Sequence, residues 1–161
     1  MTGRIGFCRC DSIGSPMLVG ISRPRIVLPQ VAFEGNELYF VLKHELVHYK
    51  RKDLCYKLLV LAATAIHWFN PIVYLMAKAI GALCEMSCDD NVIHCASDEI
   101  RWHYSETIIG VVKYHSGLNT ALSTSFNGGK KGMKKRILSI MDHGRKRAGI
   151  LVICAVMLLT M

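Results

Sequence analysis

The chain has 161 residues, 52% of them hydrophobic, and a formal charge of +8 from 20 basic and 12 acidic side chains. That length builds one domain with a real core. Seven cysteines, an odd and scattered set, form no disulfide framework and fit a reducing compartment, while the basic excess comes without a recognition helix, zinc finger or interleaved aromatics and so argues against direct nucleic-acid binding.

Residues 4–10 read as a strand, with Cys8 and Cys10 on one face by the two-residue period of extended chain. Residues 17–21 and 25–28 are short apolar runs joined by Ser22-Arg23-Pro24, which predicts a hairpin inside a small sheet spanning residues 4–30. Such a ribbon offers an edge on which an extended peptide could add as a strand; a purely structural hairpin is the alternative.

Residues 36–52 read as one helix, with Asn36 as N-cap, Glu37 in the first turn and Lys50, Arg51 and Lys52 in the last, where cations suit the helix dipole. Inside it lies His44-Glu45-Leu46-Val47-His48. Positions four apart share one helical face, so both imidazoles can point at a single metal. Glu45 faces the same cavity, and a carboxylate beside the ligands but off the metal can act as base toward an activated water.

Residues 54–69 are nearly continuously apolar, and residues 72–83 are interrupted only by Lys78. A helix apolar all round is buried or lipid-facing. The first run is short of the roughly 20 residues that span a bilayer, which predicts a core or partly membrane-embedded helix packed behind residues 36–52. Asn70-Pro71 marks the start of a helix over residues 71–95, with Asn70 as cap. Glu85 and Asp89 share a face of it.

A catalytic zinc needs three protein ligands and one open position. Glu85 is the candidate third ligand, and Asp89 the group that hydrogen-bonds a ligand imidazole and fixes its tautomer, with the reverse assignment open. Cys84 and Cys88 have the same spacing, yet a closed tetrahedral site built on them would leave Glu45 without a purpose; they read as small buried residues.

A helix over residues 98–116 starts after Ser97 and stops at Gly117. Its His103 and His115 do not have the spacing of a ligand pair, and His67 reads as structural. His94 and Tyr104 are candidates for stabilising an oxyanion. A basic helix covers residues 131–143, and eight of the twenty basic residues fall in 130–147. The run 148–161 that follows is apolar but only 14 residues long, the start of a truncated transmembrane helix. Positive charge beside a membrane segment marks the cytoplasmic side and is attracted to anionic headgroups. The organisation expected is a domain over 1–147 and a membrane segment over 148–161, in a chain that reads as a fragment or shortened paralogue.

Three ordered blocks, HELVHYKRKD from His44 to Asp53, HWFNP from His67 to Pro71 and EMSCD from Glu85 to Asp89, resemble the membrane-bound zinc metallopeptidases of bacterial β-lactam sensor-transducers. These are the antirepressor peptidases of penicillinase and methicillin-resistance regulation. The likeness extends to Ser15-Pro16 and RPRIVLP upstream and to TSFNGGKKGMKKR downstream, nearly the whole chain. It implies a gluzincin-type site: His44, His48 and Glu85 on Zn²⁺, Glu45 as catalytic base, Asp89 at the family's acidic position four residues after the ligand, and Asp53 in a structural role. Full-length members carry membrane helices before this region, and many carry an extracellular penicillin-binding domain after it.

The expectation is therefore an α+β, predominantly helical metallopeptidase domain with a small N-terminal sheet, held at the cell membrane with its site facing the cytoplasm. It would cleave itself or a transcriptional repressor, with protein substrate and membrane lipid as partners. Two alternatives remain: a non-enzymatic transducer in which zinc only stiffens a repressor-docking domain, and a general quality-control or prenyl-type metallopeptidase.

Overall fold

The computed structural model describes residues 5–117 and 129–142. The apolar run 148–161, Cys154 and part of the basic stretch lie outside those residues. Eight elements follow in order: β1 (Gly6–Cys10), β2 (Met17–Val19), β3 (Arg25–Pro29), α1 (Glu37–Arg51), α2 (Asp53–Ile66), α3 (Pro71–Val92), α4 (Asp98–Gly117) and α5 (Gly129–Met141). The fold is α+β and mostly helical, as expected.

The predicted hairpin forms, with β2 antiparallel to β3 in the register Leu18↔Ile26. Gly20 makes its turn possible: it sits at φ +87°, and a Cβ there would lie 2.6 Å from the Arg23 carbonyl oxygen. The parallel pairing of β1 with β3 was not foreseen; it sets the sheet order β1-β3-β2 and leaves β2 as an edge.

α1 lies between two apolar clusters. On one side Val41 meets Ile26 and Leu28 of β3, with Leu18, Leu38 and Val111 around them. On the other, Phe40 packs with Val92, Ile93, Tyr104, Ile108 and Ile140, drawn from the end of α3, from α4 and from α5. The helix that carries the histidines is thus fixed on both flanks before any polar contact is considered. Truncating Phe40, 7% exposed, to alanine would cost about 3–5 kcal/mol.

The ends of α1 differ from the sequence reading. Asn36 occupies the N-cap position but makes no side-chain cap bond; instead the Glu37 carboxylate accepts from the Glu34 N–H at 3.0 Å. At the other end Lys52 is not in the last turn. It sits in the left-handed region at φ 57°, its N–H bonded back to the His48 and Tyr49 carbonyls, and is at once the C-cap of α1 and the residue before α2. At the start of α3, Asn70 accepts from the Ile72 N–H at 3.0 Å with Pro71 behind it, as the sequence predicts.

α2 decides between the two expectations for it, against the core. It does touch α1 and α3, yet Asp53 is its one buried residue, so it is not a core helix. Leu59, Leu61 and Ile66 are each more than 60% exposed.

Candidate functional site

His44 and His48 are buried on the face of α1 that looks across to α3, and their Nε2 atoms lie 3.1 Å apart. The i, i+4 spacing produces that approach, and the two packed flanks of α1 fix its direction. Each Nδ1 is engaged on the outer side. His48 Nδ1 is 2.6 Å from Asp53 Oδ2, a contact made possible by the corner at Lys52, which turns the first residue of α2 back toward α1. His44 Nδ1 is 2.8 Å from the Tyr104 hydroxyl, which itself donates to Asp89 Oδ1 at 2.7 Å.

These partners assign the tautomers. Asp53 can only accept when ionised, so His48 carries its proton on Nδ1; the Tyr104 proton goes to Asp89, so that hydroxyl accepts from His44 Nδ1 as well. Both Nε2 atoms are then lone-pair acceptors facing one another at 3.1 Å. Two facing lone pairs repel unless a cation lies between them. Nitrogens each ~2.1 Å from one zinc ion stand ~3–3.4 Å apart, so the pair fits the group that the chemistry calls for.

Glu85 completes the cluster from α3. Its Oε2 is 3.6 Å from His44 Nε2 and its Oε1 3.7 Å from His48 Nε2, so the carboxylate spans both. Asp89, one turn on, is 3.4 Å from His44 Nδ1, with the Tyr104 hydroxyl making the shorter contact. His44, His48 and Cys88 also have ligand atoms within 4.8 Å of one another. Cys88 Sγ, however, lies on the Nδ1 side of His44 and donates to the His44 carbonyl at 3.5 Å; a thiol in that role keeps its proton and is a poor ligand. Glu85 is the better third donor because it faces the two free nitrogens.

Glu45 is buried beside the pair. Desolvation raises its carboxyl above the usual range, opposed by His44 and by a hydrogen bond from the Leu18 backbone of β2. The edge strand therefore reaches the Glu45 carboxylate itself. Burial moves His48 the other way, favouring the neutral imidazole that a metal requires. His44, Glu45, His48 and Glu85 line a cleft of about 210 Å³ whose walls include Met17 and Leu18 of β2 and Val111 of α4.

Arg136 was not singled out by the sequence reading, and Tyr104 was assigned a different role. Arg136 of α5 donates from Nε and NH2 to the two Asp89 oxygens at 2.7 and 2.8 Å, and its NH1 is 3.4 Å from Glu85 Oε2. It falls in the TSFNGGKKGMKKR block, the one hint available. Tyr104, fully buried, has its hydroxyl committed to His44 and Asp89, so it is not an oxyanion donor to the cleft. His94 fails in that role too, being exposed beside Cys95. Asp53, given a structural role from the resemblance, contacts the His48 imidazole directly. His67 is exposed at the end of α2, away from the cluster.

A buried HExxH pair facing a carboxylate from a second helix defines a metal-site domain of metallopeptidase type. The chain belongs to the BlaR1 peptidase M56 family, which matches residues 1–140. It is 31% identical over 137 residues to the regulatory protein BlaR1 of Bacillus licheniformis, covering 83% of this chain and 23% of that one. It is 28% identical over 161 residues to the methicillin resistance mecR1 protein of Staphylococcus aureus, covering 92% and 27%. The chain spans about a quarter of the length of these curated relatives.

Proposed function

We propose that this chain is the peptidase portion of a membrane signal transducer of the β-lactam-resistance type, a zinc metalloendopeptidase that cleaves itself or a cytoplasmic repressor. The observation that carries the reading is the pair of facing Nε2 acceptors with Glu85 across from them and Glu45 alongside. His44, His48 and Glu85 would hold the ion, which when bound supplies Lewis-acid activation of water and of the scissile carbonyl.

Glu45 takes the proton from the attacking water and returns it to the leaving amine. Its raised affinity for a proton suits a base that must also act as an acid. Asp53 and Tyr104 hold each imidazole with its Nδ1 proton outward, so both lone pairs stay in the cleft. The outer edge of β2, one strand from Glu45, offers main-chain groups to an extended peptide. A cytoplasmic repressor is in keeping with the relatives, one a regulatory protein and the other a methicillin-resistance protein.

The test is zinc stoichiometry of the purified chain in detergent, with cleavage of a candidate repressor by the parent and by Glu45→Gln. The expected result is equal zinc in both and cleavage only by the parent. Output that survives Glu45→Gln would assign the chain to non-enzymatic docking, and broad cleavage of unrelated membrane proteins would assign it to quality control.

A further inference from the structure

α2 and α3 pack together as a helical hairpin that leaves the body of the domain. Its surface is apolar on every side: Leu59, Leu61, Ile66, Trp68, Phe69 and Leu75 are each 64–70% exposed. Between Leu58 and Leu83, Lys78 is the one residue with a formal charge. A protein partner covers one face of a helix; a surface apolar all round calls for a solvent that surrounds it.

Much of the polar backbone at the tip is paired internally. In hydrocarbon every backbone polar group must be satisfied internally. At the turn, the His67 N–H donates to the Ala63 carbonyl, the Asn70 N–H to the His67 carbonyl and the Val73 N–H to the Asn70 carbonyl. The Ile72 N–H is taken by the Asn70 side chain, and the Tyr74 hydroxyl donates to the Trp68 carbonyl at 2.8 Å. This last bond closes an exposed turn that water would otherwise solvate.

The base carries the complementary signal. Lys50 and Lys52 are exposed where α1 hands over to α2, and Lys134 and Lys135 are exposed on α5, which packs on the end of α3. Cations at that level match anionic lipid headgroups.

Length sets the depth. α3 is 22 residues long and apolar enough by composition to cross a bilayer, but its last turns hold Glu85, Asp89 and the polar cluster. The lipid-compatible part, residues 72–83, reaches about 18 Å at 1.5 Å per residue, and the 14 residues of α2 reach about 21 Å, against a hydrocarbon core of about 30 Å.

We propose that the α2–α3 hairpin inserts tip-first into one leaflet of an anionic bilayer, among the acyl chains, without crossing it. The metal-site cluster at its base then lies at headgroup level, and a substrate must approach along the membrane surface.

Insertion is independent of cleavage, so it is measured on metal-stripped full-length chain, where a failure to insert and a failure to hydrolyse are separate results. The chain is reconstituted from detergent into vesicles of phosphatidylcholine and phosphatidylglycerol brominated near the headgroup, at mid-chain or near the terminal methyl. In Trp102→Phe, Trp68 is the sole tryptophan and reports the tip; the difference between the parent and Trp68→Phe gives the same signal if the first variant folds poorly. The expected result is a blue-shifted Trp68 that loses most of its emission to mid-chain or deeper bromines, weaker association with vesicles lacking phosphatidylglycerol, and no access to Trp68 by a soluble quencher trapped inside the vesicles. Quenching by the trapped reagent would show a full crossing and overturn the proposal. So would a Trp68 untouched by any brominated lipid, or one shielded only as protein concentration rises, which would identify a second copy as the cover.

Discussion

The Nδ1 of His48 lies 2.6 Å from Oδ2 of Asp53, although the two residues belong to different helices. The left-handed corner at Lys52 folds the start of α2 back over the end of α1, and Arg51 Nε, 3.3 Å from Asp53 Oδ1, holds the same carboxylate from behind. Asp53→Ala should therefore free the His48 ring to turn and change tautomer. Zinc affinity, measured by competition with a chromogenic chelator, should fall by roughly 10–100-fold. An unchanged affinity would show that the imidazole is held by packing alone.

Lys52 itself stores strain. An L-residue in the left-handed region costs roughly 1–2 kcal/mol that glycine does not incur, and Lys52 is exposed, so no side-chain packing offsets it. Lys52→Gly should raise the stability of the metal-free chain by about 1 kcal/mol, partly cancelled by the added freedom of the unfolded glycine. Chemical denaturation in detergent reads this directly, and a loss of stability would mean the corner is held by contacts of the lysine stem.

Arg136 balances Asp89 and, together with Lys57 Nζ 3.8 Å from Glu85 Oε1, helps balance Glu85 within the cluster. Removing it with Arg136→Ala leaves two carboxylates facing each other with little water, and breaking a buried pair in this way costs about 3–5 kcal/mol. Arg136→Lys should recover only part of that, since one ammonium cannot reproduce the two-pronged bond to Asp89. Thermal melts of the three proteins without metal give the ranking; full recovery by lysine would assign the effect to charge alone.

Stability against pH follows from two shifts of opposite sense. His48 is lowered from 6.5, so the unfolded chain takes the proton first; the stability it contributes is complete above 6.5 and is lost as pH falls through the lower folded value. Glu45 is raised from 4.5, so its contribution is complete below 4.5 and is lost as pH rises through the higher folded value. Glu45→Gln should remove the second loss and leave the first. Denaturation midpoints of the metal-free parent and variant should therefore separate as pH rises above 4.5.

How much of this was legible in the sequence depends on the reach of each interaction. The His44–His48 approach is a property of one helix and follows from spacing. Asn70-Pro71 and the hairpin of residues 17–28 are equally local and form as expected. Glu85 could be placed on the proper face because α3 is continuous. Tyr104 and Arg136 reach the cluster from 60 residues after His44 and 47 after Asp89, so only folding reveals them. The contact of Asp53 depends on a left-handed lysine, a conformation that residue type does not announce. The apolar run of α2 left a core and a partly membrane-embedded helix both open, because apolarity alone does not distinguish a core from a lipid-facing surface.

One guanidinium joins α5 to the pair of carboxylates on α3, so the position of α5 bears on that of the Glu85 and Asp89 carboxyl groups. A displacement of α5 by even a single residue's rise, ~1.5 Å, exceeds what a hydrogen bond tolerates and would drag or release the very oxygen that faces the histidines.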